Sequence, residues 1–173
     1  MEVFAEIADG ARAESQLWAA ALRPDAEREP VAVFSRLAPA VYAVGLETVY
    51  EAYLVHYGLP RLFATGEESE RVLLGDYLYA HGLVRVAETG DVGAVADLAE
   101  LISLCAQARA DGRSGDGQAW AATAACLGAG DLDDAREALR LEGDPVELEA
   151  LARRSAGDAA VDEALAAHAR LVL

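Results

Sequence analysis

Hydrophobic residues recur at helical spacing along most of this chain. Residues 2–22 carry apolar side chains every three or four positions and stop before a proline, which predicts an N-terminal helix. Residues 23–30 are charged and bounded by prolines, as is typical of a linker. A long apolar helix is then predicted from Val31 to Tyr57, with a kink near Pro39.

The rest of the chain has clear helix start and stop signals. A third helix is predicted over residues 67–88, and Gly90 is its stop signal. A fourth helix is predicted from its cap Asp91 to Arg109, with Asp97 lying away from its apolar face. Shorter helices are predicted over 118–128, 131–142, 145–155 and 158–172, with Gly-Asp pairs at 130–131, 143–144 and 157–158 between them. In each pair the glycine ends one helix and the aspartate caps the next.

The overall pattern predicts an all-α helical bundle. The chain has 173 residues, which suffices for one hydrophobic core, and no strand-like alternation persists along it. We therefore expect a single all-helical domain over residues 1–173. Its expected parts are an N-terminal helix (1–22), a linker (23–30), core helices (31–110) and short C-terminal helices (118–173).

The charge of the chain excludes several classes of function. A formal net charge of −16 opposes binding to nucleic acid and to anionic membrane surfaces, because both need clustered cations. It also opposes tight binding of naked diphosphates. All the cationic residues are arginines, so chemistry that needs a lysine amine, such as Schiff-base catalysis, is excluded.

The remaining composition predicts a cytoplasmic protein. Cys105 and Cys126 have no paired spacing and are expected to be small buried apolar residues rather than a disulfide or a zinc site. The N-terminal residues lack the features of a signal peptide. No apolar run approaches the roughly 18 residues that a membrane span needs, so no such span is expected.

One short motif, Gly75-Asp76-Tyr77-Leu78, lies within the third predicted helix. It resembles the Gly-Asp-Tyr/Phe-Leu helix of the trans-polyprenyl diphosphate synthases, all-helical enzymes that extend isoprenoid chains. The resemblance covers about residues 40–130. Its far end is the segment from Trp120 to Ala129, which resembles a helix of those enzymes that closes on a Gly-Ala pair.

The metal-binding residues of that family are missing from the matching positions. Those enzymes hold magnesium with an Asp-Asp-x-x-Asp motif, on a segment of the type Ser-Leu-Ile-His-Asp-Asp. Here the segment reads Tyr53-Leu-Val-His-Tyr-Gly-Leu-Pro60, so His56 remains while Tyr57 and Gly58 replace the aspartates. The substrate-binding lysine of the family has no counterpart, and too few residues follow for its second aspartate-rich motif.

The resemblance implies a truncated isoprenoid synthase fold without catalysis of its own. The implied function is that of the non-catalytic small subunit of a heteromeric polyprenyl diphosphate synthase in isoprenoid or quinone side-chain biosynthesis. The expected partner is a large catalytic subunit or a second copy of this chain, with an apolar isoprenoid as a further candidate ligand. No cofactor is expected, and magnesium would enter only through the catalytic partner. We expect the interface on the face of Gly75 and Tyr79, where small residues such as Ala80 and Gly82 let a neighbouring helix approach.

Asp76 and His56 are the candidate catalytic residues. Asp76 stands among apolar neighbours in a helix, so its charge needs solvent, a partner or a hydrogen-bond donor. His56 and His81 lie on apolar helices and are expected in the core or at its rim, whereas His168 is expected to be exposed.

The segment that begins at Asp131 is the candidate metal site. Asp133, Asp134 and Glu137 fit an Asp-Asp-x-x-Glu pattern, which can bind magnesium through bridging diphosphate oxygens. The same residues also suit a helix N-terminus, with Asp131 as the N-cap and acidic residues offsetting the helix dipole. We favour the second interpretation.

Two other functions fit parts of the pattern. Residues 119–139 resemble a tetratricopeptide hairpin, although the Gly-Asp pairs that begin at 90, 130, 143 and 157 lack the steady 34-residue period of such repeats. This alternative predicts a helical-hairpin adaptor. The other alternative is a metal-independent enzyme, or a carrier, for an apolar or isoprenoid ligand, with Asp76, His56 or a tyrosine as the acid.

Overall fold

The structure is a computed structural model that describes residues 2–28, 30–64, 66–129 and 132–172. Within these residues the chain forms nine α-helices and no β-strand, apart from the isolated bridge pairs Leu22 with Phe63 and Gly58 with Val172. The predicted all-α fold is confirmed. The helices are α1 (Glu2–Glu14), α2 (Gln16–Ala21), α3 (Ala43–Tyr57), α4 (Glu68–Ala87), α5 (Val92–Ala110), α6 (Asp116–Ala125), α7 (Asp133–Glu142), α8 (Val146–Ala156) and α9 (Asp158–Leu171).

Helix α3 is the central element. Eleven of its fifteen residues are buried, as expected for a helix that is apolar on all sides. One apolar cluster joins α3 to α1 and α4 around Phe4 and Phe63. A second cluster joins α3 to α5, α6, α8 and α9 around Phe34 and Trp120.

Helices α3 and α4 approach each other closely at a pair of glycines. A Cβ atom at Gly82 would lie 2.6 Å from Cγ2 of Val49 and 2.9 Å from the carbonyl oxygen of Gly45. A Cβ atom at Gly45 would likewise overlap Val86. The two backbones therefore pack at a distance that only glycine allows at these positions.

The N-terminal segment differs from the single helix predicted over residues 2–22. The chain forms α1 and α2, separated at Ser15. The hydroxyl of Ser15 accepts a hydrogen bond from the backbone N–H of Trp18 at 3.1 Å and so caps α2. Serine competes with the helix for backbone groups in this way, which explains the interruption.

The prediction of a helix from Val31 to Tyr57 is wrong in its first half. Residues 31–42 contain two short 3₁₀ turns, and α3 begins only at Ala43. Pro39 disfavours helical geometry at the residue before it, which is extended here. The carboxylate of Glu47 also accepts the backbone N–H groups of Val33 and Ser35, each at 3.0 Å, and so fixes the non-helical path.

The later helices follow the prediction closely. Asp91 caps α5 by accepting the backbone N–H of Ala94 at 3.0 Å. Gly143 ends α7 with a φ of +73°, a conformation that favours glycine. Asp158 does not cap α9, because it is already the first helical residue. The Gly-Asp pair at 130–131 lies outside the described residues.

Asp97 departs from its predicted position away from the apolar face of α5. It is buried, and its carboxylate accepts hydrogen bonds from the backbone N–H of Gly128 at 2.8 Å and from Arg136 at 3.0 Å. The carboxylate thus joins α5 to the segment before α7 and to α7 itself. Helical periodicity alone treats such a paired carboxylate as a surface residue.

Candidate functional site

The residues singled out in the sequence for catalysis and for the interface lie together where α3 ends beside α4. The imidazole of His56 stacks on Tyr79, with ring centroids 5.3 Å apart and planes at 15°. Its Nε2 lies 3.5 Å from Oδ1 of Asp76. A Cβ atom at Gly75 would overlap this ring, so the glycine admits the histidine. We call these four residues the His56 cluster.

The electrostatics of the His56 cluster favour a neutral imidazole. Burial lowers the pKa of His56, Asp76 opposes this shift, and Arg71 adds to it. The Asp76 side chain is 68% exposed, whereas that of His56 is only 15% exposed. The Nε2 atom of His56 has no hydrogen-bond partner among the described residues, and Asp76 is the carboxylate next to it.

The end of α3 is covered by the C-terminal end of α9. A Cβ atom at Gly58 would overlap the carbonyl oxygen of Leu171, and the backbone N–H of Leu59 donates to the same oxygen at 2.7 Å. Tyr57 packs against His56, with ring centroids 5.6 Å apart. The positions that match the first aspartate motif therefore hold an aromatic ring and a backbone contact.

Part of the α4 surface predicted to form the interface is buried within this chain, and part of it is exposed. Gly75 and Gly82 are buried against α3, and Tyr79 is partly covered by His56. Other apolar residues of α4 remain exposed on one face of the helix. They are Leu73, Ala80, Val84 and Ala87, which we call the α4 seam. With Tyr77, which is half-buried, they follow the 4-3-4-3 spacing by which one helix packs along another.

The described acidic residues at the start of α7 are not arranged as a metal centre. The Asp133 side chain is 90% exposed, and its nearest cation is Arg136 at 3.7 Å. Among the described residues, no group of three or more His, Cys, Asp or Glu side chains is arranged to hold a metal ion, and this includes Asp134 and Glu137. Asp131, the predicted N-cap, lies outside the described residues.

A buried polar network crosses the second apolar cluster. The hydroxyl of Tyr53 donates to Oδ2 of Asp116, which also accepts from Arg109 at 2.7 Å. Arg109 in turn donates to the Tyr53 hydroxyl from Nε at 3.0 Å and from its terminal nitrogen at 2.8 Å. His168 lies 3.6 Å from Asp116 through Nε2 and 2.9 Å from the hydroxyl of Tyr50 through Nδ1. We call these five residues the Asp116 network.

His168 was predicted to be exposed, and this prediction is wrong. The residue is 4% exposed and faces the core from α9. The tautomer with hydrogen on Nε2 accepts from Tyr50 and directs its N–H toward Asp116. Burial alone would raise the pKa of Asp116, but His168, Tyr53 and Arg109 together hold that pKa well below its ordinary value.

A second buried network lies beside the Tyr50 ring. Arg61 donates to Glu51 from Nε at 2.9 Å and also binds Glu47, and its guanidinium lies 4.9 Å from the Tyr50 ring centroid. Backbone N–H groups satisfy the remaining carboxylate oxygens, from Leu62 on Glu51 and from residues 33 and 35 on Glu47. We call the two glutamates and the arginine the Arg61 network.

The sequence had singled out none of the charged residues of these two networks, although one signal was present. Glu47 and Glu51 stand four residues apart in a helix that is otherwise apolar on all sides. Such a pair must be buried on one face, and a buried charge needs a cation and hydrogen-bond donors. Nothing comparable in the sequence distinguishes Asp116 from a helix-start residue.

Comparisons with protein-family models, with curated proteins and with solved structures found no match to this chain. Among the described residues, none of the helices combines the length and the apolar character that crossing a membrane requires.

The packing of the helices bears on the tetratricopeptide alternative. α6 packs mainly against α8 rather than against α7, so residues 119–139 do not form the close helical hairpin of such a repeat.

Proposed function

We propose that this chain is a non-catalytic helical subunit of a polyprenyl diphosphate synthase, acting in the cytoplasm in isoprenoid or quinone side-chain synthesis. In this role it binds a catalytic chain along the α4 seam, and the catalytic chain supplies the magnesium and the reaction. The observation that carries the proposal is the pairing of a closed α3 end with an open apolar face on the neighbouring helix.

The closed α3 end supports a role without chemistry. A prenyl transfer site needs carboxylates that hold metal ions around a diphosphate. At the matching positions Tyr57 packs on His56, while Gly58 lies against the end of α9. A diphosphate and its metal ions would have to displace both contacts before they could bind there.

The open face of α4 supports a role in assembly. Leu73 is 57% exposed and Val84 is 54% exposed, on a helix of 20 residues whose opposite side is buried against α3. Leaving a row of apolar side chains in water costs free energy that a partner helix would recover. Stable assemblies bury more than about 1,000 Å² in total, which requires the partner to extend beyond the seam itself.

The proposal is tested with the purified chain and a catalytic long-chain polyprenyl diphosphate synthase chain encoded in the same genome. We expect the isolated chain to make no product from farnesyl diphosphate, isopentenyl diphosphate and Mg²⁺. We expect the mixture to form a stable complex in size-exclusion chromatography with light scattering. Within the complex, we expect isopentenyl incorporation to rise above that of the catalytic chain alone.

Variants of the α4 seam sharpen the test. The double variant Leu73→Arg/Val84→Arg should keep its helical circular dichroism signal and lose the complex, because two cations cannot be buried in an apolar contact. Leu141→Arg is the matched control, since Leu141 is also exposed, at 64%, but lies on α7. Product formation by the isolated chain that survives Asp133→Asn/Asp134→Asn would refute the non-catalytic role. A chain that neither self-associates nor binds the catalytic chain at micromolar concentration would refute the subunit role.

A further inference from the structure

A cavity of about 350 Å³ lies between the segment after α2, the segment after α3 and the end of α9. Its lining includes Arg23, Arg61 and Arg170 together with apolar side chains. We propose that this cavity binds a small organic carboxylate with an apolar body. This inference concerns a surface away from the α4 seam and does not depend on the subunit proposal.

The arginines of this cavity differ from the others in the chain. Eleven of the fourteen arginines have a carboxylate within 4.0 Å among the described residues. The remaining three are Arg23, Arg71 and Arg170, and two of these line the cavity. Arg23 uses its Nε to bind the carbonyl oxygen of Phe63 at 3.0 Å, so its terminal nitrogens remain for a ligand. In a chain of net charge −16, two guanidinium groups at one cavity without a described carboxylate within 4.0 Å indicate an anion site.

Arg61, the third arginine that lines the cavity, forms a fixed wall of it and does not offer a free charge. Arg61 is 2% exposed and is bound by Glu47 and Glu51, so its charge is already compensated. Its guanidinium also donates to the carbonyl oxygen of Val31 at 2.8 Å, which holds the rim of the cavity in place. The cavity is therefore preformed on this side, and a ligand need not order it on binding.

The local charge favours a ligand with a single negative charge. Among the described residues that line the cavity, Glu27 is the one acidic residue, and it partly offsets Arg23 and Arg170. Arg61 is bound by two glutamates and adds no positive charge, so the positive charge at the cavity is small and matches a carboxylate better than a more highly charged anion. A phosphate dianion or a diphosphate would leave negative charge uncompensated within an acidic protein.

The apolar walls and the volume define the rest of the ligand. Val33, Leu59 and Leu171 line the cavity together with Val31. Val31 is 54% exposed and Leu59 is 48% exposed, so an alkyl or aryl group bound there would remove apolar surface from water. Small-molecule sites usually span about 300–1,000 Å³, and this cavity lies at the lower end of that range.

Isothermal titration of the full chain with sodium octanoate tests the site, with octan-1-ol and octylamine as ligands of equal chain length and different charge. We expect saturable binding of octanoate at one site, no measurable binding of octylamine, and weaker octanoate binding as the salt concentration rises. Arg170→Gln should weaken octanoate binding by about tenfold or more, the effect of losing a hydrogen bond to a charged group. Arg154→Gln, at an exposed arginine on α8, should leave the binding unchanged.

Three results would overturn the proposal. Octan-1-ol binding as tightly as octanoate would show an apolar site without anion recognition. Unchanged octanoate affinity in both Arg170→Gln and Arg23→Gln, with circular dichroism spectra like that of the parent chain, would place the anion elsewhere. Tighter binding of octyl phosphate than of octanoate would contradict the assignment to a carboxylate.

Discussion

The Arg61 and Asp116 networks meet at Tyr50, yet they are built differently. In the Arg61 network no side chain is more than 1% exposed, and backbone N–H groups complete the hydrogen bonds of both glutamates. The Asp116 network connects side chain to side chain between α3, α5, α6 and α9, and Asp116 is 15% exposed. His168 Nε2 has no hydrogen bond there, since Asp116 lies just beyond bonding distance.

The Arg61 network therefore fixes the path of the backbone. The Asp116 network joins side chains and is partly open to solvent. The Arg61 network holds the path of residues 31–35 and of Leu62, so its removal releases chain segments. The Asp116 network holds helices that already pack through apolar residues, so its removal loosens contacts without freeing a loop. We therefore expect the two networks to differ both in energetic cost and in pH response.

The largest expected effect is that of Arg61→Met. It leaves Glu47 and Glu51 buried without a cation, which should lower the free energy of unfolding by about 3–5 kcal/mol. Urea titration followed by circular dichroism measures this. The triple variant Glu47→Gln/Glu51→Gln/Arg61→Met should recover part of the loss, because it keeps the acceptors for the backbone N–H groups and removes the unpaired charges.

Arg154→Met is the matched control for that experiment. Arg154 pairs with Glu147 at 2.8 Å, but both side chains are more than half exposed. Exposed ion pairs contribute at most about 1 kcal/mol. Equal losses in the Arg61 and Arg154 variants would contradict a closed, backbone-fixing network around Arg61.

A smaller effect is expected for Asp116→Asn, at about 1–3 kcal/mol at pH 7, because the ion pair between Asp116 and Arg109 is lost. The variant should also change the pH dependence. Since the pKa of Asp116 is lowered by folding, its carboxylate stabilises the fold above the ordinary value of 3.8, and this stabilisation is lost as the pH falls below that value.

The pH experiment compares the parent chain with Asp116→Asn between pH 6 and pH 2. The parent should lose stability more steeply below about pH 4, by no more than about 1.4 kcal/mol per pH unit for this one group. Parallel curves for the two proteins would mean that Asp116 has an ordinary pKa in the folded chain. The two networks would then not be expected to differ in their response to pH.

The smallest expected effect is that of Tyr50→Phe. Tyr50 belongs to the Asp116 network and its ring also lies beside Arg61. The phenylalanine keeps the ring beside Arg61 and loses only the hydroxyl contact with His168. We expect a loss of about 0.5–1.5 kcal/mol in the free energy of unfolding, the usual net value of one hydrogen bond. A loss as large as that of Arg61→Met would mean that the two networks act as one unit.

Sequence patterns predicted the later helices better than the first third of the chain. The bounds of α4 and α5 follow from local signals, such as the Asp91 cap, that act within a few residues. Gly75 was expected at an interface with a partner chain, whereas the structure buries it against His56 of the same chain. Residues 31–42 do not form the predicted helix, because the carboxylate of Glu47, further along the chain, binds backbone N–H groups of this segment. Helical periodicity does not detect such competition.

The sequence of α9 carries a local pattern that predicts the burial of His168. Val161, Ala164 and His168 share the i, i+3, i+7 spacing of one helix face, and all three are buried. That spacing predicts burial of the imidazole, but not its partners. Its partners lie on α3 and α6, so distant in the chain that only the folded arrangement brings them together.

The docking of α9 also bears on the order in which the chain folds. The contact between Tyr50 and His168 spans 118 positions, and Leu171 closes the end of α3. During synthesis α9 emerges after every helix that it contacts, so the hydroxyl of Tyr50 lacks its contact with His168 until then. Contacts of such long range slow folding, because the loop must close before they contribute. The contacts of His168 with Tyr50 and of Leu171 with the end of α3 thus cannot form before α9 has left the ribosome.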